Sequence, residues 1–486
     1  MDPKPPITRT GKSGWLRHRT TRLKSLAAVG ALTLGFAGAA FAAAGPASAD
    51  PAFNFVGVGS DTTQSMMDFF AGQTGGGVVG SYDAVNPVSQ VGGENITPAV
   101  AGTGGAQQNC NYTRPNGSGQ GFKALDKSFN PSTTLAQLAI APAANCIAFS
   151  RSSGGPGSGT SATTGPGIKD PTGLLVYIPF AVDAVTDATG PTTAIPVTTQ
   201  CNGPTTPAGF TCSSTTGLGT VSFTTTPTKI TTAAQFTQAN LSTLYNCVPG
   251  TTSPNDFVSA GGVNYFPNGD AASGPAGQTN VNIDLYLPQP GSGTLSFWES
   301  TLSIVLTSGN LPGCDHQTIV AGPATGVSVE EHDGTALASD PNGIAPISIA
   351  KWLSFSNGVV TPDLRFGDIL QPIVVSGTSV APLNGGGTMN VGGCGATFNQ
   401  ATCFPITREV YNVMSFNEVV NSAGDTSFNP TLSALFAGTG SALCQSTFTI
   451  LNLGFGNLPN PAGSVFPDLC GATTSNNRVQ MNNTGN

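Results

Sequence analysis

The residues best suited to chemistry lie in one short stretch, Pro288-Gln289-Pro290-Gly291-Ser292-Gly293-Thr294-Leu295. Ser292 and Thr294 are strong helix-capping types, and the glycines allow a tight turn. The first N–H groups of a helix have no partner within it, and the macrodipole makes that end positive. Such a turn seats an anion or a carbonyl oxygen. An ordinary capped Gly-Ser loop is the competing reading of the same residues. Three further polar turns are of the same type: residues 59–64, 116–121 and 150–153. Together the four offer the hydroxyls of Ser60, Thr62, Thr63, Ser118, Ser292 and Thr294, with Arg114 and Arg151 as cations. That is an inventory for a small oxyanion. Asp61 is read first as a helix cap, and second as an acceptor for a proton carried by the ligand.

The elements that must hold these turns are legible around them. Residues 281–287 alternate apolar and polar, as a strand does, and Leu295, Trp298 and Leu302 follow at roughly helical spacing. Trp298 and Phe297 are expected in the core. Residues 53–59 read as a strand and Met66 to Phe70 as a helix; residues 146–150 read as a short buried strand. Residues 174–186 form the most strand-like run, but Pro179 in its middle argues against a regular central strand and for a crossing between two domains. Residues 341–352, 404–413 and 447–453 read as strands, residues 187–228 as an inserted loop or hairpin, and the tail from Thr473 as disordered. Ligands of open α/β sheets sit at the carboxyl ends of strands, so the four turns are expected to converge on one cleft.

Composition narrows the class. The 486 residues include 64 Gly and 37 Pro, with 38% apolar and only 9% charged residues. This suits an exported, loop-rich protein with short strands. Residues 1–49 combine seven bases, an apolar run rich in small residues and an Ala47-Ser48-Ala49 cleavage pattern, the features of a signal peptide. Without that segment ten bases face 24 acids, a net charge of −14, which speaks against nucleic acid as a partner. All ten cysteines follow the leader, and the simplest pairing joins neighbours: 110–146, 201–212, 247–314, 394–403 and 444–470. Only His316 and His332 remain after the leader, and no C-x-x-C occurs, so neither a zinc site nor any other cofactor is expected. The same scarcity of histidine, and the lack of a nucleophile-elbow pattern at 289–293, argue against a hydrolase. The run Glu330-Glu331-His332-Asp333 reads as a solvated charged turn.

The order of these segments resembles the phosphate-binding solute receptors of ABC transporters. The resemblance rests on Gly57-Val58-Gly59-Ser60-Asp61-Thr62, on Gly117-Ser118-Gly119, loosely on Phe149-Ser150-Arg151, and most fully on Gly291-Ser292-Gly293-Thr294. It spans most of residues 52–353. It implies a two-lobed, type II periplasmic-binding-protein clamp of α/β class, here with disulfide-bearing loop insertions. Lobe one would comprise residues 50–180 plus 325–486, and lobe two residues 181–324. The implied ligand site is Ser60, Asp61, Thr62, Ser118, Arg151, Ser292, Gly293 and Thr294, with phosphate or another small oxyanion as ligand and an ABC permease as partner. The protein is expected to act as a monomer and not as an enzyme. Two departures stand out: Pro288 occupies the position of a family arginine, and Arg151 that of a family aspartate. No cysteine stands at the cleavage point to carry a lipid, so release or envelope association is expected. The alternative is a secreted surface protein on the same fold that binds another ligand or none.

Overall fold

A computed structural model describes residues 53–73, 78–86, 93–97, 110–129, 140–142, 144–157, 169–191, 193, 198–200, 210–212, 218–221, 236–246, 258–260, 263–267, 279–304, 314–376, 378–384, 387–391, 404–422, 426–458 and 468–480. The leader lies outside these residues, and so does at least one cysteine of each pair 201–212, 247–314 and 394–403. The other two expected pairs, Cys110–Cys146 and Cys444–Cys470, are disulfides. No helix among the described residues is long and apolar enough to cross a membrane.

The sheet is built around one strand, Leu175–Thr189, buried at all of its 15 positions. Its β-branched and aromatic residues suit a strand covered on both faces. Pro179 does not break it, contrary to the expectation from sequence. The partner strand Thr407–Ser415 shifts register there: Val410 faces Ala181 and Tyr411 faces Pro179, which leaves Phe180 as the extra residue of a bulge. A bulge is where a strand tolerates a residue without an N–H.

The first part of this strand pairs antiparallel with Thr407–Ser415, and the last part, from Val185, pairs antiparallel with Gly343–Ser348. Beyond Thr407–Ser415 come Phe149–Ser152, antiparallel to it, then Phe55–Gly59 and Val79–Ser81, each parallel to its neighbour. Beyond Gly343–Ser348 come Thr279–Tyr286 and Val263–Pro267, again parallel. The result is an α/β fold on one mixed sheet. Strands Phe55–Gly59 and Phe149–Ser152 run with the central strand, and Thr279–Tyr286 and Gly343–Ser348 run against it. Both sets therefore end near its midpoint, where Arg408 pairs with Asp183 and Ser348 with Val185. Chain direction alone brings the carboxyl ends of two groups of strands to one place.

Helices start where the turns end: Gln64–Gln73, Ser118–Phe129 and Gly293–Leu302, the last N-capped by Ser292. Trp298 is fully buried, with its ring edge-on to Tyr245 at 5.9 Å. Three expectations need correction. The run 341–352 is a strand only to Ser348, which caps a helix, Ile349–Ser356, by accepting from the Lys351 N–H at 3.1 Å. Residues Thr447–Asn452 are helical rather than extended, held to the first helix by a Gln73 amide on the Thr449 hydroxyl at 2.8 Å. Such a tertiary contact overrides the β propensity of a Thr-Phe-Thr-Ile run. The tail is ordered as far as 480: Ser475–Asn477 is a 3₁₀ turn, and Arg478–Val479 adds to the start of the central strand. The expected insertion at 187–228 contains three short antiparallel strands, Thr198–Gln200, Leu218–Val221 and Phe210–Cys212.

Candidate functional site

The four turns do converge, and glycine is what lets them. Gly117 has φ +102°, and a Cβ there would stand 2.3 Å from the Gly291 carbonyl oxygen. The Gly119 N–H donates to that same oxygen at 3.1 Å. A Cβ on Gly121 would stand 2.5 Å from the Cα of Gly59. Gly293 is used in the same way: a Cβ would lie 2.2 Å from the Ser118 Oγ and 2.3 Å from the Ser153 Oγ. The second and third turns are tied by the Ser153 N–H, which donates to the Ser118 Oγ at 3.0 Å.

At the centre lies a buried polar cluster. The hydroxyls of Thr62 and Thr294, from the first and fourth turns, stand 3.4 Å apart. Both donate to one oxygen of Glu331, at 2.7 and 2.6 Å to Oε1. His332 Nε2 lies 3.1 Å from the same oxygen. The His332 Nδ1 accepts from the Ser348 N–H at 3.3 Å, so Nε2 carries a proton, shared between the Thr62 Oγ1 at 2.9 Å and Glu331 Oε1. Arg408 closes the cluster from Thr407–Ser415. Its Nη2 donates to Thr294 Oγ1 at 2.8 Å, and Nε and Nη2 grip Asp183 Oδ2 at 3.0 and 2.7 Å. The other Asp183 oxygen accepts from the Ser348 hydroxyl at 2.8 Å and the Ala350 N–H at 3.1 Å. Phe297, partly buried, lies under the Arg408 guanidinium at 5.2 Å. Burial alone would push the Glu331 carboxyl up. The adjoining His332 and the hydrogen bonds from His332, Thr294 and Thr62 outweigh it and hold the group well below the usual carboxylate range.

The eight residues expected at the site therefore divide. Thr62 and Thr294 point into the cluster. Ser292 is a cap, its Oγ accepting from the Leu295 N–H at 3.1 Å. Ser118 and Gly293 form the contact between turns. Ser60 is buried, and its Oγ has no hydrogen-bond partner. Asp61 takes a different partner from the ligand imagined for it: its Oδ1 is 3.2 Å from the Lys351 Nζ. Arg151 is fully buried and faces away from the cluster. Its Nε donates to the Ser60 carbonyl at 3.0 Å, Nη2 to Gly59 at 3.1 Å, and Nη1 to Tyr82 at 2.8 Å and to the Ser81 hydroxyl at 2.7 Å. It staples the first turn, and each of its three side-chain nitrogens has a partner.

Sequence reading missed Asp183, Glu331, His332 and Arg408. The run 330–333 is no solvated turn: Glu331 and His332 are 5% and 3% exposed. Two amides dock it onto the turns, with the Glu331 N–H on Gln289 Oε1 at 2.7 Å and the Gln289 amide on Asn116 Oδ1 at 2.9 Å. The signal available in sequence was the rarity of charge, which makes each charged residue in a strand or tight turn informative. Beside the cluster is a cavity of about 170 Å³ whose lining includes Asp61, Asp83, Glu330, Glu331, Asp333 and Lys351. Burial pushes the Asp83 and Glu330 carboxyls up, with the negative charge of Asp61 adding to both. Among the described residues no group of three metal-ligating side chains stands together.

No protein-family profile matches the chain, and no curated protein is similar to it in sequence. Solved structures overlap with it along most of its length, at low TM-scores. A protein described as a phosphate ABC transporter substrate-binding protein from Clostridium perfringens, solved with bound phosphate, is 11% identical, with a TM-score of 0.38 over 83% of this chain and 99% of that one. An ABC-type phosphate transport receptor from Vibrio cholerae is also 11% identical, with a TM-score of 0.37 over 83% of this chain and 100% of that one. The high-affinity periplasmic phosphate-binding protein PfluDING, bound with phosphate, is 13% identical, with a TM-score of 0.40 over 84% of this chain and 91% of that one. Overlap at this level leaves the ligand of this chain to be argued from its own residues. In structure the chain is similar, at TM-scores of 0.32–0.40 and 9–13% sequence identity, to proteins described as phosphate-binding proteins or as phosphate ABC transporter receptors.

Proposed function

We propose that the chain is an exported solute-binding protein that closes over a small oxyanion, inorganic phosphate first, and delivers it to an ABC importer. The halves of the sheet that meet at Asp183 would act as the lobes, with the ligand at the convergence of the four turns and the motion at the crossing strands. One observation carries this reading: two hydroxyls and an imidazole converge at 2.6–3.1 Å on a single anionic oxygen, with a buried guanidinium on one of the hydroxyls. Charge-assisted bonds of this kind hold an anion without a bulk counter-ion. Three further buried groups, Ser60 Oγ, Thr63 Oγ1 and Arg408 Nη1, have no protein partner. Arg408 supplies the cation that the family resemblance would have placed at Pro288.

Calorimetric titration with phosphate and then sulfate near neutral pH, after stripping by partial unfolding, tests the proposal. Saturable phosphate binding, weakened at least tenfold by Ser292→Ala with Thr294→Val, is the expected result. Unchanged affinity in that double variant would remove the site assignment. A second reading has its own observation: Gly293 is packed directly against the Ser118 and Ser153 hydroxyls, which leaves no room for a solute at that point. A surface protein that kept the fold and lost the ligand would look this way, and it would be silent toward both anions.

A further inference from the structure

If the cluster is an anion seat, the seat is already taken by a residue of the chain itself. We propose that the Glu331 carboxylate is a built-in ligand of the Thr62–Thr294–His332–Arg408 cradle, and that a carboxylate or tetrahedral oxyanion from solution binds only by displacing it. This rests on the reading of the cradle as the anion seat.

The groups that build the cradle come from separate parts of the fold, and Arg408 reaches Glu331 only through the Thr294 hydroxyl. Thr62 belongs to the turn after the first strand, Thr294 to the first turn of the helix Gly293–Leu302, and Arg408 to the strand Thr407–Ser415. Thr62 and Thr294 both spend their hydroxyl protons on Glu331 Oε1, at 2.7 and 2.6 Å. A hydroxyl has one proton to give, so neither can at the same time donate to a solute. A free anion at this seat must therefore replace Glu331 rather than join it.

The hold on the carboxylate is one-sided. Oε2 is buried and has no hydrogen-bond partner, and Arg408 Nη1 is likewise without one. The carboxylate thus leaves one oxygen, and the cradle one guanidinium nitrogen, unsatisfied; a tetrahedral oxyanion has further oxygens to offer that nitrogen. The backbone of Glu331 is fixed independently through its N–H on Gln289 Oε1, 2.7 Å, so the side chain can leave while the loop stays. Its exit is the adjacent cavity, whose wall it already shares with Asp61, Asp83, Glu330, Asp333 and Lys351. A displaced carboxylate meets mostly carboxylates there, which favours its return. A tethered ligand also loses no translational freedom on binding, so it competes at a high effective concentration. Both effects lower the apparent affinity for an external anion.

The test uses the wild type, Glu331→Ala and Glu331→Gln, with acetate and inorganic phosphate as probes, in thermal denaturation and calorimetry near pH 7. Acetate reproduces the missing carboxylate. It is expected to raise the melting temperature of Glu331→Ala, which empties the seat, by several degrees and to leave the wild type unmoved. Phosphate is expected to bind both variants at least tenfold more tightly than the wild type. Glu331→Gln keeps the shape and one acceptor oxygen, so it serves for phosphate if the alanine variant fails to fold. Acetate that shifts all forms equally, or none, overturns the proposal. Equal phosphate affinity in all forms also overturns it, while leaving the oxyanion function standing. Acetate rescue with no phosphate binding in any form keeps Glu331 as the cradle's ligand and sinks the solute function instead.

Discussion

Replacing Arg408 by methionine keeps an unbranched apolar stem and removes the guanidinium with its charge. In the folded protein this breaks two hydrogen bonds to Asp183 Oδ2, at 3.0 and 2.7 Å, and one to Thr294 at 2.8 Å. The side chains of Arg408 and Asp183 are 3% and 0% exposed, so water cannot replace the lost partner. Asp183 would keep only the Ser348 hydroxyl and the Ala350 N–H, both on its other oxygen. Breaking a buried pair from one side costs about 3–5 kcal/mol, most of it from the stranded charge. Asp183→Asn in the same background removes that charge, so the double variant should be more stable than the sum of the single effects allows. A coupling of about 2–3 kcal/mol is expected, at the upper end for residues in direct contact. Urea unfolding of the four proteins of the cycle at one pH, with the denaturant slope checked for constancy, measures it. A cost below about 1 kcal/mol for Arg408→Met would refute the buried-pair argument. So would additivity within about 0.5 kcal/mol.

Two further predictions follow from backbone contact and burial. Gly117→Ala puts a methyl group 2.3 Å from the Gly291 carbonyl oxygen at a φ of +102°, and a carbonyl in a turn cannot rotate away. Unfolding measurements should show a loss of about 2–5 kcal/mol from overpacking plus backbone strain, whereas Gly154→Ala, which meets nothing within 4 Å, should be nearly neutral. Burial raises the carboxyls of Asp187, Asp315 and Asp368 to about 8, with Glu299 adding to the effect on Asp315 and Asp363 and Asp333 to that on Asp368. Their folded-state values lie above the unfolded ones, so their contribution is complete below about pH 4 and is lost as pH rises through about 8. Melting temperature should therefore fall between pH 5 and pH 8. A flat or rising profile would mean that these carboxyls ionise freely in the folded protein.

The alternation at 281–287 and the capping types at 292–294 are local signals, and the strand Thr279–Tyr286 and the helix Gly293–Leu302 obey them. Helix starts after the first and second turns were legible for the same reason. Propensity misled where distant contacts decide, as at Thr447–Asn452, or where a cap ended a strand early, as at Ser348. Pro179 misled because a bulge is made by two strands together, and its partner Tyr411 is far away in the chain.

By itself the sequence determined the repertoire: four polar turns with hydroxyls at strand ends, three of them opening helices, and two cysteine pairs close enough in the chain to close short loops. Those depend on neighbours within a few residues. Which charges are buried depends on neighbours hundreds of residues away, and a charged letter in sequence reads alike in either setting. Arg151 and Arg408 show the difference. Each follows a strand-like pattern, yet one spends its donors on the carbonyls of a turn and the other grips Asp183 beside Thr294. Only the pairing of Thr407–Ser415 with Leu175–Thr189, which puts Arg408 opposite Asp183, decided which arginine stands in the cradle. The same folding brought Glu331 between Thr62 and Thr294, because buried donors must find an acceptor and the loop at 330–333 carried one.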